Sequence, residues 1–192
     1  EVFANTIGYS FYKSIKMSPD HTGTNDWIGL GIISKLEIKN EKTEILPYPD
    51  FPLVFSDGKE ANKFDKLILS AEIGVEKILT TQLQPIHYWG YNYYEEPAFS
   101  YAKLISEMIL KRFGDTSVIT GDFQMSHLYL PMAELYKGFN LKDALPDQFT
   151  RKRQNGKHTK SDHVLIESGR KVLRSEIDET MTDHYLCFVE VG

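Results

Sequence analysis

Three aspartates stand at the ends or starts of apolar, strand-like runs in this chain: Asp122 in GDF, Asp162 in SDHVL and Asp183 in TDHYL. A strand end is rigid, and it opens to solvent where the strand leaves its sheet. Carboxylates held there can converge on a metal ion or a water molecule with little entropy left to lose. Two of the three are followed directly by histidine, His163 and His184. Neighbouring side chains on a strand point to opposite faces, so one member of each Asp-His pair faces inward and the other out, unless the pair sits at a turn. Asp162 and His184 fall in different strands and could meet across a sheet. A carboxylate bonded to an imidazole fixes its tautomer and raises its basicity, as a general base or a phosphate-stabilising imidazolium requires. GDF alone, or one Asp-His dipeptide alone, is equally a strand-to-loop junction or a capped turn. The combination within one chain is what points to a site.

The elements that must carry these residues follow from periodicity. Trp27 to Ile38 (WIGLGIISKLEI) is apolar and β-branched with two glycines, a buried strand pair or a strand with a tight approach. Tyr48 to Phe55, with Pro49 and Pro52 inside it and Pro47 just before, reads as an irregular crossing segment. Leu67, Leu69, Ala71 and Ile73 alternate at strand spacing, Gly74 turns, and Lys77 to Leu83 returns as the second arm of a hairpin. From Ala98 to Phe113 the apolar positions fall three or four apart, a helical stripe stopped at Gly114. Ser117 to Phe123 is a short strand. Pro131 suits the first turn of a second helix and Gly138 its end. Arg151 to Lys160 reads as a polar, basic loop, and His163 to Glu167 and His184 to Val191 as the last strands. Hairpins, two helices and further strands predict sheets packed together with helices outside, an α/β (α+β) arrangement.

Composition bounds what such a fold can do. The 192 residues are 41% hydrophobic and 26% charged, ordinary globular usage, and predict a single domain over residues 1–192. One cysteine, Cys187, excludes an internal disulfide framework and a Cys-rich zinc cluster. No apolar run approaches the roughly 20 residues that span a bilayer, so no transmembrane segment is expected. The compartment, cytoplasmic or secreted, is left open. A net charge of −5 argues against coating nucleic acid through the overall field, but not against local binding of a polyanion through a metal ion.

In order, EVFANTIGYSF, GLGIISKLEI, LILSAEI with KILTTQL, VITGDFQ, FTRKRQNGKHTKSDHVLIESG and TDHYLCFVEV resemble the endonuclease/exonuclease/phosphatase superfamily across nearly the whole chain. The last three segments are the more specific. The resemblance implies a DNase I-like, four-layer sandwich of two packed mixed β-sheets flanked by helices, with the family's first strand upstream of Glu1 and the domain N-terminally incomplete. It implies metal-dependent cleavage of a phosphate ester. Glu1 matches the metal-binding glutamate, on the strength of EV and the GY that follows. Asp122 matches the aspartate that positions or activates the attacking water. Asp162 matches the aspartate that orients the terminal histidine. Asp183 and His184 match the closing Asp-His, the first near the metal and the second at the scissile phosphate. Thr150 matches a threonine common before the basic loop.

Two substitutions depart from the pattern. Gln124 stands where the family has an asparagine, one methylene longer and still able to bind a non-bridging oxygen. Gln82 stands where the family's Thr-His-Leu has histidine, and His87, five residues on, is a candidate substitute. Hard oxygen ligands such as Glu1 and Asp183 favour Mg²⁺ or Mn²⁺. The expected partner is a phosphodiester substrate, nucleic acid or phospholipid, with no stable protein partner. Arg151, Lys152, Arg153, Lys157 and Lys160 could grip a backbone, and Tyr88, Trp89, Tyr91, Tyr93 and Tyr94 could stack bases or contact lipid. Equally, the first set is a solvated loop and the second a packed one. A degenerate member that binds a partner without cleaving it is the alternative to a hydrolase.

Overall fold

The structure, a computed structural model, describes residues 6, 8–19, 27–55, 57–60, 65–152, 156–180 and 182–192. In chain order its strands are β1 (Phe11–Pro19), β2 (Trp27–Ser34), β3 (Ile38–Ile45), β4 (Leu67–Ile73), β5 (Glu76–Gln82), β6 (Val118–Asp122), β7 (Leu141–Asp143), β8 (Arg151–Lys152), β9 (His158–Thr159), β10 (Asp162–Glu167), β11 (Val172–Asp178) and β12 (Leu186–Val191). Two helices, α1 (Ala98–Arg112) and α2 (Ala133–Phe139), separate β5 from β6 and β6 from β7.

The centre is a six-stranded mixed sheet in the order β3-β4-β5-β6-β10-β7. Only β5 and β6 run parallel, because α1 carries the chain back between them. One face of the sheet, with Ile68, Leu79, Ile119 and Leu165, packs against Ala102, Ile105 and Ile109 of α1 and Leu135 of α2 in one large core. The opposite face, with Leu69 and Ala71, packs against Ile32 of β2, whose antiparallel ribbon with β1 lies over β4 and β5. A second ribbon, β11-β12, is tied to the far side of the sheet where Ser175 Oγ donates to Ala144 O at 2.8 Å. The result is the expected α/β sandwich. Among the described residues no helix is long and apolar enough to cross a membrane.

The β4-β5 hairpin, α1 and β6 form where the periodicity predicts them, with Gly74 at φ 62° in the turn. Four differences have local causes. Trp27 to Ser34 is a single half-exposed strand, and Ile38 opens β3 in the central sheet, so the run is divided between two layers. The basic segment after Thr150 is a short hairpin, β8-β9. His184 stands outside the last strand and makes only an isolated bridge to Arg151. Finally, Gly138 lies inside α2, which Asn140 terminates in the left-handed conformation. A Cβ on Gly138 would stand 2.2 Å from Leu110 Cδ2, so this glycine sets how closely α2 crosses α1.

Candidate active site

The central sheet aligns three polar residues at one edge of its strands. Asp122 ends β6, and its register partners are Gln82 at the end of β5 and Asp162 at the start of β10. Register partners share a face, so Gln82, Asp122 and Asp162 project side by side. They lie at the face on which β1-β2 packs, because Leu69 and Asp122 both lie on the face opposite Ile119. Gly121 permits the close approach: a Cβ there would fall 2.0 Å from Thr81 O.

The remaining members arrive on the loops after β7 and β11. Thr150, fully buried, accepts the backbone N–H of Ser161 at 2.9 Å and of Asp162 at 3.0 Å, which fixes the start of β10. The Arg151–His184 bridge, with Lys152 N donating to Asp183 O and Tyr185 N to Thr150 O, locks the Asp183-His184 segment against β8. His184 Nδ1 then meets Asp162 at 2.9 and 3.1 Å. With Nδ1 turned to a carboxylate, Nε2 faces inward, 3.8 Å from both Asp122 Oδ2 and Asp183 Oδ2. Arg151 reaches the same two oxygens, at 3.8 and 3.2 Å. Three strand ends and two further segments therefore converge on one small space.

Its electrostatics are those of an anionic pocket incompletely neutralised. Asp122 is 8% exposed; burial pushes its carboxyl above the ordinary range and the neighbouring Asp162 charge adds to this, while His184, Arg151 and Gln82 pull it back. The Asp162 hydrogen bond raises the His184 imidazole against the opposing effect of burial. Gln124, held at φ 59°, donates its backbone N–H to Asp122 Oδ1 at 3.1 Å and its side-chain amide to Asp122 Oδ2. Its buried Oε1 has no hydrogen-bond partner, and neither has the Nε of Arg151. These are a buried acceptor and a buried donor of the site left without a partner.

The cluster could hold a metal ion: ligand atoms of Asp122, Asp162 and His184 lie within 4.8 Å of one another. Asp183, 57% exposed at its side chain, stands at the solvent side of the cluster. Glu1 lies outside the described residues. His87 sits in the 3₁₀ turn Ile86–Trp89 after β5, its ring 4.3 Å from that of Tyr88.

Other sequence features resolve into scaffolding. His163 points away from the cluster, its Nδ1 2.7 Å from Asp143 and its Nε2 2.9 Å from Met125 O, as alternation along β10 requires. In the aromatic segment, Tyr93 is 2% exposed and bonded to Gln84 O, Tyr91 packs on Phe51, and Trp89 packs near Phe55. Only Tyr88, at 58%, and Tyr94 are substantially exposed. The packed-loop reading holds for the others. In the sequence Arg151 reads only as one cation of a basic stretch, and nothing in that stretch sets it apart.

No protein-family sequence model matches the chain, and no curated protein matches it in sequence. Similarity of structure is extensive, with 73 solved chains matching. An endonuclease/exonuclease/phosphatase family protein from Leptotrichia buccalis superposes with TM-score 0.62 at 13% identity, over 95% of this chain and 70% of that one. A 3′-5′ exonuclease from Neisseria meningitidis gives 0.59 at 14%, over 98% and 82%. A mannosyl-6-phosphatase from Bacteroides thetaiotaomicron gives 0.54 at 16%, over 94% and 77%. The chain has the α/β sandwich of endonuclease/exonuclease/phosphatase proteins.

Proposed function

We propose that the protein is a divalent-metal-dependent phosphoesterase that hydrolyses a phosphodiester by in-line attack of water. The observation that carries this reading is the convergence of Asp122, Asp162 and His184, which strand register and the Arg151–His184 bridge bring to one face. The structural relatives, which include both an exonuclease and a phosphatase, support the same class of chemistry.

Asp183 and Glu1 would hold the ion, with Asp122 beside it. When bound, Mg²⁺ or Mn²⁺ supplies polarisation of a phosphoryl oxygen and charge to balance the leaving oxygen. Asp122, fixed by three donors from Gln82 and Gln124, orients the attacking water and accepts its hydrogen bond. Asp162 holds the His184 tautomer, so Nε2 faces the phosphorus and stabilises or protonates an oxygen there. Gln124 contacts a non-bridging oxygen, and Arg151 neutralises a second. His87 remains a candidate second imidazole from the turn after β5. These roles are positioning and electrostatics, the contributions that dominate phosphoryl transfer.

The test is hydrolysis of bis(p-nitrophenyl) phosphate, plasmid DNA, abasic DNA, RNA and sphingomyelin with Mg²⁺ or Mn²⁺. Turnover that a chelator abolishes is expected, with Asp183→Ala and His184→Ala each lowering it at least ~10²-fold, the usual worth of an acid/base group. Wild-type turnover in both variants contradicts the assignment. Absence of both turnover and metal uptake favours a binding module.

A further inference from the structure

Behind the site stands a charge that the chemistry above does not use. Lys66 directly precedes β4 and is only 5% exposed. Burial lowers its ammonium to about 8, against the Asp122 charge, which raises it. Its Nζ donates to Gln82 Oε1 at 2.5 Å. A primary amide is planar, with one acceptor oxygen and one NH₂ donor group. With the oxygen claimed by Lys66, the NH₂ turns the other way, and Gln82 Nε2 donates to Asp122 Oδ2 at 3.3 Å. The cation thus anchors the amide in the orientation that the carboxylate also favours. Without it the amide loses that anchor and keeps the longer 3.3 Å contact with Asp122.

We propose that Lys66 is a positioning residue of the site, which acts through Gln82 to fix the orientation of the Asp122 carboxylate. The position at which the family resemblance implies a histidine is occupied here by a two-residue device, an amide and the buried cation that orients it. A buried ammonium is costly unless it is bonded and faces an opposite charge, and at this spot Lys66 meets both conditions. The role rests on the phosphoesterase reading, since Asp122 is the residue it serves.

Three variants test it. Lys66→Met should lower kcat about 10- to 100-fold, the range for residues that orient a ligand or catalytic group from behind, with KM changed far less. Lys66→Arg should recover most of the loss. Gln82→Glu is the decisive variant, because it keeps the acceptor for Lys66 and strengthens that contact. It replaces the donor to Asp122 with an oxygen. Thermal stability should hold or rise while kcat falls about as far as in Lys66→Met. A purely structural Lys66 predicts that Lys66→Met keeps its kcat wherever it stays folded; that result, or wild-type kcat in Gln82→Glu, overturns the proposal. A readout independent of turnover is the Gln82 side-chain amide resonance pair, which should shift in Lys66→Met and return in Lys66→Arg. Unmoved resonances in Lys66→Met also overturn the proposal, even if the variant is inactive. Lack of hydrolysis by the wild-type protein would instead sink the phosphoesterase reading, and the amide resonances would still judge the Lys66–Gln82 geometry.

Discussion

His184 owes its raised pKa first to Asp162, with the Asp122 charge adding and Arg151 opposing. The hydrogen bond from Nδ1 to Asp162 holds its folded pKa above the ordinary value, and burial opposes this only in part. Asp162→Asn should therefore bring the His184 ring titration down, as followed by its proton resonances. The linked effect on stability has a definite sign. A raised folded pKa stabilises the metal-free protein fully below the unfolded value of about 6.5, and the contribution is lost as pH rises through the folded pKa. Urea midpoints of the wild-type protein should fall across that window, and those of Asp162→Asn should stay flatter. Asp143 behaves in the opposite sense. Burial raises its carboxyl, but the hydrogen bonds and charges of His163 and Lys160 outweigh this and hold it below the ordinary range. Its contribution is present above about 3.9 and is lost as pH falls through the folded value. Asp143→Asn should blunt that acid-side loss, measured by the same denaturations.

Elements fix where these groups stand, and one glycine shows how tightly. Gly→Ala inside a helix ordinarily stabilises by roughly 0.5–1 kcal/mol. At Gly138 the new methyl would collide with Leu110 of α1, so Gly138→Ala should instead destabilise. In a Leu110→Ala background the penalty should shrink or reverse. A double-mutant cycle in urea reads this coupling directly, and an additive result would show that Gly138 does not set the helix crossing. The elements also mark what was legible in the sequence. β4, β5, α1, β6 and β10 are buried on at least one face, and their apolar spacing announces them. β3 reads IKNEKTEI and β11 reads VLRSEID. Both lie at or near a sheet edge, where ladder hydrogen bonds hold polar side chains that leave no periodic signal. Asp122, Asp162 and His184 were legible because their motifs sit at strand ends. Arg151 and Lys66 were not, because a cation in a loop and a cation turned into a site look alike until the chain is folded.

At the scale of the whole molecule, the charge is negative and the site is local. The net charge of −5 offers no field to gather a polyanion, and the cations at the cluster are few: Arg151, with Lys66 behind it. Binding of a short phosphodiester should therefore weaken by about tenfold at most between 50 and 200 mM salt, whereas proteins that grip 6–10 phosphates lose about 10³–10⁵ over that range. A steep salt dependence in fluorescence-anisotropy titrations would reveal a basic footprint beyond this site. The sandwich places both the row Gln82–Asp122–Asp162 and the His184 loop at one rim, although Gln82 and His184 are 102 positions apart in sequence.

That convergence is the central claim, and anomalous diffraction from crystals soaked in Mn²⁺ tests it most directly. A peak in contact with the Asp122, Asp162, Asp183 or His184 side chains, absent from Asp183→Ala crystals treated in the same way, is the predicted result. Mn²⁺ bound elsewhere with nothing at this cluster would contradict the account.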